Sequence, residues 1–186
     1  MKRNGIMLAT IVFGIIILLS SCSVLDNIGG VVNGKEKQLY NQYFLNDKQE
    51  AEELFKSVIK AINDDDQENL KALFSEKALI ESDIFNSSII ELMNFANDKV
   101  TWDTNDDYAG PITGGDFEDG EQTIVYEIYR EISIGGNWYL LYLLYYPVDT
   151  INPSNVGLYS LYIWNERNGG PAPWECYHNS GIKIWD

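Results

Sequence analysis

Positive charge is scarce in this chain of 186 residues: 13 lysines and arginines stand against 28 aspartates and glutamates, a formal net charge of −15 at pH 7. Such a surface repels phosphate backbones and anionic headgroups, and no run of basic residues along the sequence offsets it, so nucleic acid is not expected as a partner. Cysteine is nearly missing as well. Cys22 and Cys176 are the only two, too few for a disulfide framework, and the fold must rest on packing. His178 is the single histidine, which leaves most of a tetrahedral shell to carboxylates; neither a metal nor a cofactor is expected. Long apolar runs are lacking too. The one candidate, residues 6–19, is about 14 residues long, short of the roughly 20 that a spanning helix needs.

That run nonetheless has a setting. Met1-Lys2-Arg3 supplies a basic start, and Leu19-Ser20-Ser21-Cys22 closes the segment with small residues, the layout of a secretory signal peptide. A cysteine directly after Leu-Ser-Ser resembles the lipobox of bacterial lipoproteins. The resemblance implies that residues 1–21 are a signal peptide and that Cys22 is lipidated as the first residue of the mature protein. The chain would then be held at the outer face of the bacterial cytoplasmic membrane. What remains is 165 residues, one domain's worth of chain, with 11 basic and 28 acidic residues and a formal charge of −17. Attachment would depend on two or three acyl chains, since the charge opposes it.

Residues 23–36 are rich in glycine and asparagine and show no sustained period; they read as part of a lipid anchor and flexible tether over 22–44. The domain proper is expected over 45–186. Leu54, Phe55, Val58, Ile59 and Ile62 recur at helical spacing, with acids early and lysines late, as the helix dipole favours. Asn63-Asp64-Asp65-Asp66 breaks this helix, and one of the aspartates is expected to cap a second, short helix through Leu70, Leu73 and Phe74. A third is expected from about Ser82 to Asn97, with Phe85, Ile89, Leu92, Met93 and Ala96 on one face.

Beyond Lys99 the pattern changes to β-branched and aromatic residues with period two. Strands are expected over 100–104, 123–134, 138–146 (stopped by Pro147), 156–164 and 181–185, and a loop over 108–119. Asp119-Gly120 and Gly135-Gly136-Asn137 are turns. Helices first and strands later argue an α+β domain, three N-terminal helices packed on a curved antiparallel sheet.

Residues 61–75, Ala-Ile-Asn-Asp-Asp-Asp-Gln-Glu-Asn-Leu-Lys-Ala-Leu-Phe-Ser, resemble the opening of the nuclear-transport-factor-2-like, or cystatin-like, superfamily, whose fold is a cone-shaped roll. Residues 149–161, Asp-Thr-Ile-Asn-Pro-Ser-Asn-Val-Gly-Leu-Tyr-Ser-Leu, resemble a segment of an uncharacterised family of bacterial lipoproteins with this fold, a domain of unknown function. The resemblance implies a ligand cleft in the mouth of the roll. It imports no activity.

Within such a mouth Arg130 is the odd residue, alone among isoleucines on one face of its strand. It must meet a carboxylate, reach solvent or await an anionic ligand. Tyr126, Tyr142, Tyr162 and Trp164 are candidate cleft walls, with plain core as the simpler reading. Cys176 and His178 lie two apart and suggest a nucleophile and base, yet nothing specifies an orienting third group. Asp103, Asn105 and Asp107 match the first half of a calcium loop, but Tyr108 and Gly114 stand where that loop needs glycine and glutamate. Asn86-Ser87-Ser88 is a glycosylation acceptor only in sequence.

Two function classes follow. One is a tethered binding or accessory module for a small molecule, a cell-wall component or a protein partner. The other is a small enzyme of the ketosteroid-isomerase or polyketide-cyclase type, using a buried carboxylate and a tyrosine. Glu127 and Glu131, opposite in phase to Arg130, decide between them: lining a closed apolar pocket with Tyr129 favours catalysis, and wetness disfavours it. The apolarity of both faces of residues 138–146 also suggests a homodimer formed through the sheet.

Overall fold

The apolar stripe of the first helix dictates what it covers. A computed structural model describes residues 34–104, 108–165 and 179–185, with side chains from residue 46 onward. By contacts the chain divides into Met1–Tyr43 and Phe44–Asp186. Of the first unit, residues 34–43 are described and are helical. The core and the sites below lie in the second. Residues 1–33, on which the expected signal peptide and Cys22 fall, residues 105–107, Cys176 and His178 are outside the described residues.

Helix α1 (Gly34–Asn63) buries Ala51, Leu54, Phe55, Val58, Ile59, Ala61 and Ile62, the stripe expected from the spacing. Each large side chain so buried contributes roughly 1.5–3 kcal/mol. The helix starts well before Asp47, so residues 34–44 are helical where composition suggests a flexible tether. The segment 35–46 holds no glycine or proline, and extending a nucleated helix is cheap. Asp65 adopts a left-handed φ of 52° and ends the run. Asp66 then caps α2 (Gln67–Ala72), accepting from the Asn69 amide at 3.0 Å.

Helix α3 (Glu76–Glu81) is an addition to the three helices that periodicity predicts. Ser75 caps it, its Oγ accepting from the Ala78 amide at 3.1 Å, and Ala78 is its one buried residue, which leaves no period to read. Helix α4 (Phe85–Phe95) buries Phe85, Ser88, Ile89 and Leu92.

Five strands form one open sheet in the order β1 (Ile112–Glu118), β2 (Glu121–Ile134), β3 (Asn137–Asp149), β4 (Gly157–Trp164), β5 (Gly181–Trp185). The first four are antiparallel and β5 joins β4 in parallel. The sheet is therefore mixed, a correction to the antiparallel expectation: β5 runs beside β4 in the same direction, from Gly181 opposite Ser160 to Trp185 opposite Trp164. β1 replaces the expected loop; its Thr-Gly-Gly-Asp lacks β propensity, and as an edge strand it needs little. Residues 100–104 form a single bridge, Thr101 to Ser133, in place of a strand. Both hairpin turns, Asp119-Gly120 (φ 51° and 88°) and Gly135-Gly136 (φ 57° and 82°), have the two positive φ values of a two-residue turn that matches strand twist.

β3 does not stop at Pro147. Between the pairs Ile124 with Val148 and Tyr126 with Tyr145 the register shifts by one, so Val125 faces both Tyr146 and Pro147. A bulge is where a strand tolerates proline. A second shift leaves Tyr159 as the extra residue of β4.

Candidate functional site

Pleating sorts the candidate residues by face. Arg130 pairs with Leu141, and Tyr126 with Tyr145; Tyr142 pairs with Tyr129 and Tyr162, and Leu140 with Trp164. Arg130 and Tyr126 therefore share the face that meets α1 and, through Phe95 against Tyr139, α4. Tyr142, Tyr162 and Trp164 occupy the other face, so the five proposed cleft residues divide between the two faces of the sheet. The sequence shows the alternation within each strand but not the register between strands.

On the first face, α1 delivers two carboxylates. Arg130, 4 % exposed, donates through Nη1 to Glu52 Oε2 at 2.5 Å. Its guanidinium lies between two rings, 4.6 Å from the Phe55 centroid and 4.4 Å from that of Tyr108. A buried guanidinium with an ion-pair partner and two aromatic faces is fully accommodated. Burial pushes the Glu52 carboxyl up, but the Arg130 hydrogen bond and charge, with Lys56 at 3.3 Å adding to them, prevail and hold it below its ordinary value. Glu50, two residues earlier, accepts from Tyr126 Oη at 3.2 Å and Tyr145 Oη at 3.3 Å. Burial first, then the Glu50 charge, raises both phenols, Tyr145 to about 12. Asp47 accepts from Thr113 Oγ1 at 2.8 Å. Tyr108 Oη is buried without a hydrogen-bond partner, its pKa raised chiefly by burial. None of α1's carboxylates was legible as a site residue, because helical spacing marks them only as the polar edge of an amphipathic stripe.

The opposite face carries a row of rings across four strands. Tyr129 and Tyr142 are 4.8 Å apart, Tyr142 and Tyr162 5.9 Å, Tyr162 and Trp185 5.3 Å. Tyr162 Oη donates to the Asn179 carbonyl, as does Ser160 Oγ at 2.8 Å. Tyr142, Leu144 and Tyr162 have no exposed surface and Trp164 is buried. Glu127 is half-buried and accepts from Tyr129 Oη at 3.0 Å, while Glu131 is exposed. Neither glutamate lines the larger pockets formed by described residues.

The Asp149–Leu161 segment is a corner. Buried Asp149 accepts from the Asn152 amide and from Asn155 Nδ2, each at 2.7 Å, and from Thr123 Oγ1 at 3.3 Å. Gly157 has φ +124°, and a Cβ there would lie 2.9 Å from the Ser75 amide nitrogen. That close approach lets Ser75 N donate to the Leu158 carbonyl, and Leu158 N to that of Leu73, both at 2.9 Å. The segment thus docks the start of β4 against the end of α2 and the cap of α3.

The larger pockets lie elsewhere. One of about 450 Å³ is formed by the second half of α1 and residues 99–104, and one of about 540 Å³ by Glu81, Ser82, Asp83, Tyr159, Asn179 and neighbouring residues. Among the described residues no cluster of potential ligands could hold a metal ion, and no helix is long and apolar enough to cross a membrane.

Helices α1 and α4 set against one face of an open mixed sheet, with charged and phenolic groups tied together between α1 and β2, define an α+β domain. The chain belongs to the family described as Domain of unknown function (DUF5104), which it matches over residues 57–166, more than half its length. No curated protein matches it.

Proposed function

We propose that the protein is an extracytoplasmic lipoprotein, anchored through lipid on Cys22, whose domain is a cone-shaped roll of the nuclear-transport-factor-2-like type acting as a binding or accessory module. The observation that carries the choice of binding over catalysis is the state of the two carboxylates between helix and sheet. Glu52 is engaged by Arg130 and Lys56, and Glu50 by two tyrosines. A general base must face its substrate with a lone pair free, and these are turned onto the protein's own donors. The wet Glu131 and the Tyr129-bonded Glu127 support the same reading.

The enzyme alternative has one point in its favour: Glu50 beside Tyr126 and Tyr145 is the carboxylate and phenol pairing that enolisation chemistry uses. It would require access to Glu50, which lines neither the pocket of about 450 Å³ at α1 nor that of about 540 Å³ at Tyr159. Replacing Cys22 by alanine and fractionating cells tests the anchor: release from the membrane fraction is expected, and unchanged retention overturns it. Turnover of a ketosteroid-type substrate that Glu50→Gln abolishes would overturn the binding reading in favour of the enzyme.

A further inference from the structure

The pocket at the C-terminal half of α1 has features that the acidic composition hides. Three of the nine lysines and arginines in the Phe44–Asp186 unit, Lys56, Lys60 and Lys99, line it. Its floor is apolar, made by Ile59, Val100 and Trp102. Three acidic groups act on these lysines: Glu52, which Lys56 shares with Arg130, Asp64, paired with Lys60, and Asp66, whose charge also reaches Lys60. Lys99 makes no ion pair among the described residues. Among the residues that line the pocket, three are lysines and one, Asp64, is an acid, so Lys99 adds a charge there that no ion pair offsets.

The opening is also held in shape. Asn63 Nδ2 donates to the Val100 carbonyl at 3.0 Å, and Val100 N donates to Asn63 Oδ1 at 2.8 Å. On its other side the segment is fastened to β2, Thr101 and Ser133 exchanging backbone hydrogen bonds of 3.0 and 2.8 Å. Trp102 is seated edge-on against Phe55 at 5.3 Å. A wall pinned from both sides needs little ordering on binding.

We propose that this pocket binds a small organic anion, its charged group among Lys56, Lys60 and Lys99 and its ring against Ile59, Val100 and Trp102. The lysines repel a metal cation, and the apolar floor gives a bare inorganic ion nothing to cover. The inference gives the binding-module reading its ligand class and rests on it, while its test is separate from that of the anchor.

The experiment is a calorimetric titration of the full-length chain with phenyl phosphate, alongside inorganic phosphate and benzyl alcohol. Phenyl phosphate is expected to bind at least about tenfold more tightly than either half-probe, since both parts of the site are then used. Lys99→Glu, at an exposed residue without an ion-pair partner, is expected to keep the parent melting temperature and weaken binding about tenfold or more. Lys99→Gln should give a smaller loss in the same direction. No saturable binding of phenyl phosphate, equal binding of benzyl alcohol, or parent affinity in both Lys99 variants overturns the proposal. None of these outcomes touches the Cys22 fractionation result.

Discussion

Two successive stretches of α1, residues 50–55 and residues 56–63, meet the rest of the domain in opposite ways. In the first, around Glu50, Glu52 and Phe55, every charged group is matched: guanidinium to carboxylate and ring faces, carboxylate to phenols. In the second, around Lys56, Lys60 and Asn63, a side-chain amide fixes the neighbouring backbone and the lysines stand round an opening. The contrast teaches where polarity serves stability and where it is left for something else. A buried charge must be paired to be tolerated at all, whereas at a wet rim a pair adds little and a charge such as that of Lys99 stands without one at little cost.

The largest blow to this contrast should come from Arg130→Ala, which strips Glu52 of its buried partner and leaves a gap between Phe55 and Tyr108. A loss of about 3 kcal/mol is expected in urea unfolding. A loss under about 0.5 kcal/mol would mean that the matched stretch is no more structural than the other. Asn63→Ala leaves a half-buried amide and carbonyl of Val100 without their partner, and about 1–2 kcal/mol should go with them. Tyr126→Phe removes one of Glu50's two donors; about 1 kcal/mol is expected by the same measurement.

Acid sharpens the comparison further. Because Glu52 is held below its ordinary value of 4.5, its contribution is complete above that value and is lost as pH falls through the lowered one. Unfolding midpoints taken from about pH 6 to about pH 3 should therefore decline more steeply in the parent than in Glu52→Gln. Base acts through the tyrosines. Tyr145, pushed up to about 12, favours the fold fully below 10 and loses that contribution as pH rises toward 12, a decline that Tyr145→Phe should flatten. The smallest effect belongs to Lys99→Gln, for which a change within about 0.5 kcal/mol is expected.

What could be read from the sequence followed from periodicity. The buried stripe of α1, the Asp66 cap, both glycine turns and the inward phase of Arg130 on β2 were legible, because each depends on neighbours within a few positions. That Arg130 must meet a carboxylate, reach solvent or await an anion was legible too, but not which of these holds: Glu52 lies 78 residues away on a helix whose polar edge offers Glu50, Glu52 and Glu53 alike. Helix α3 and strand β1 escaped because one has a single buried residue and the other two glycines where β-branched residues would signal a strand. The split of Tyr126 from Tyr142, Tyr162 and Trp164 needed the pairing register, which no single strand contains. Lys99 joined Lys56 and Lys60 only through Asn63's hold on Val100, so a basic pocket was invisible in a chain with no basic run.

Pro147 carries a consequence of its own. Its ring confines φ near −65° and deletes one amide hydrogen, so the bend beside Tyr145 and Tyr146 is written into covalent geometry and owes nothing to what leans on it. Should α1 loosen, that stretch of backbone would still hold its crease.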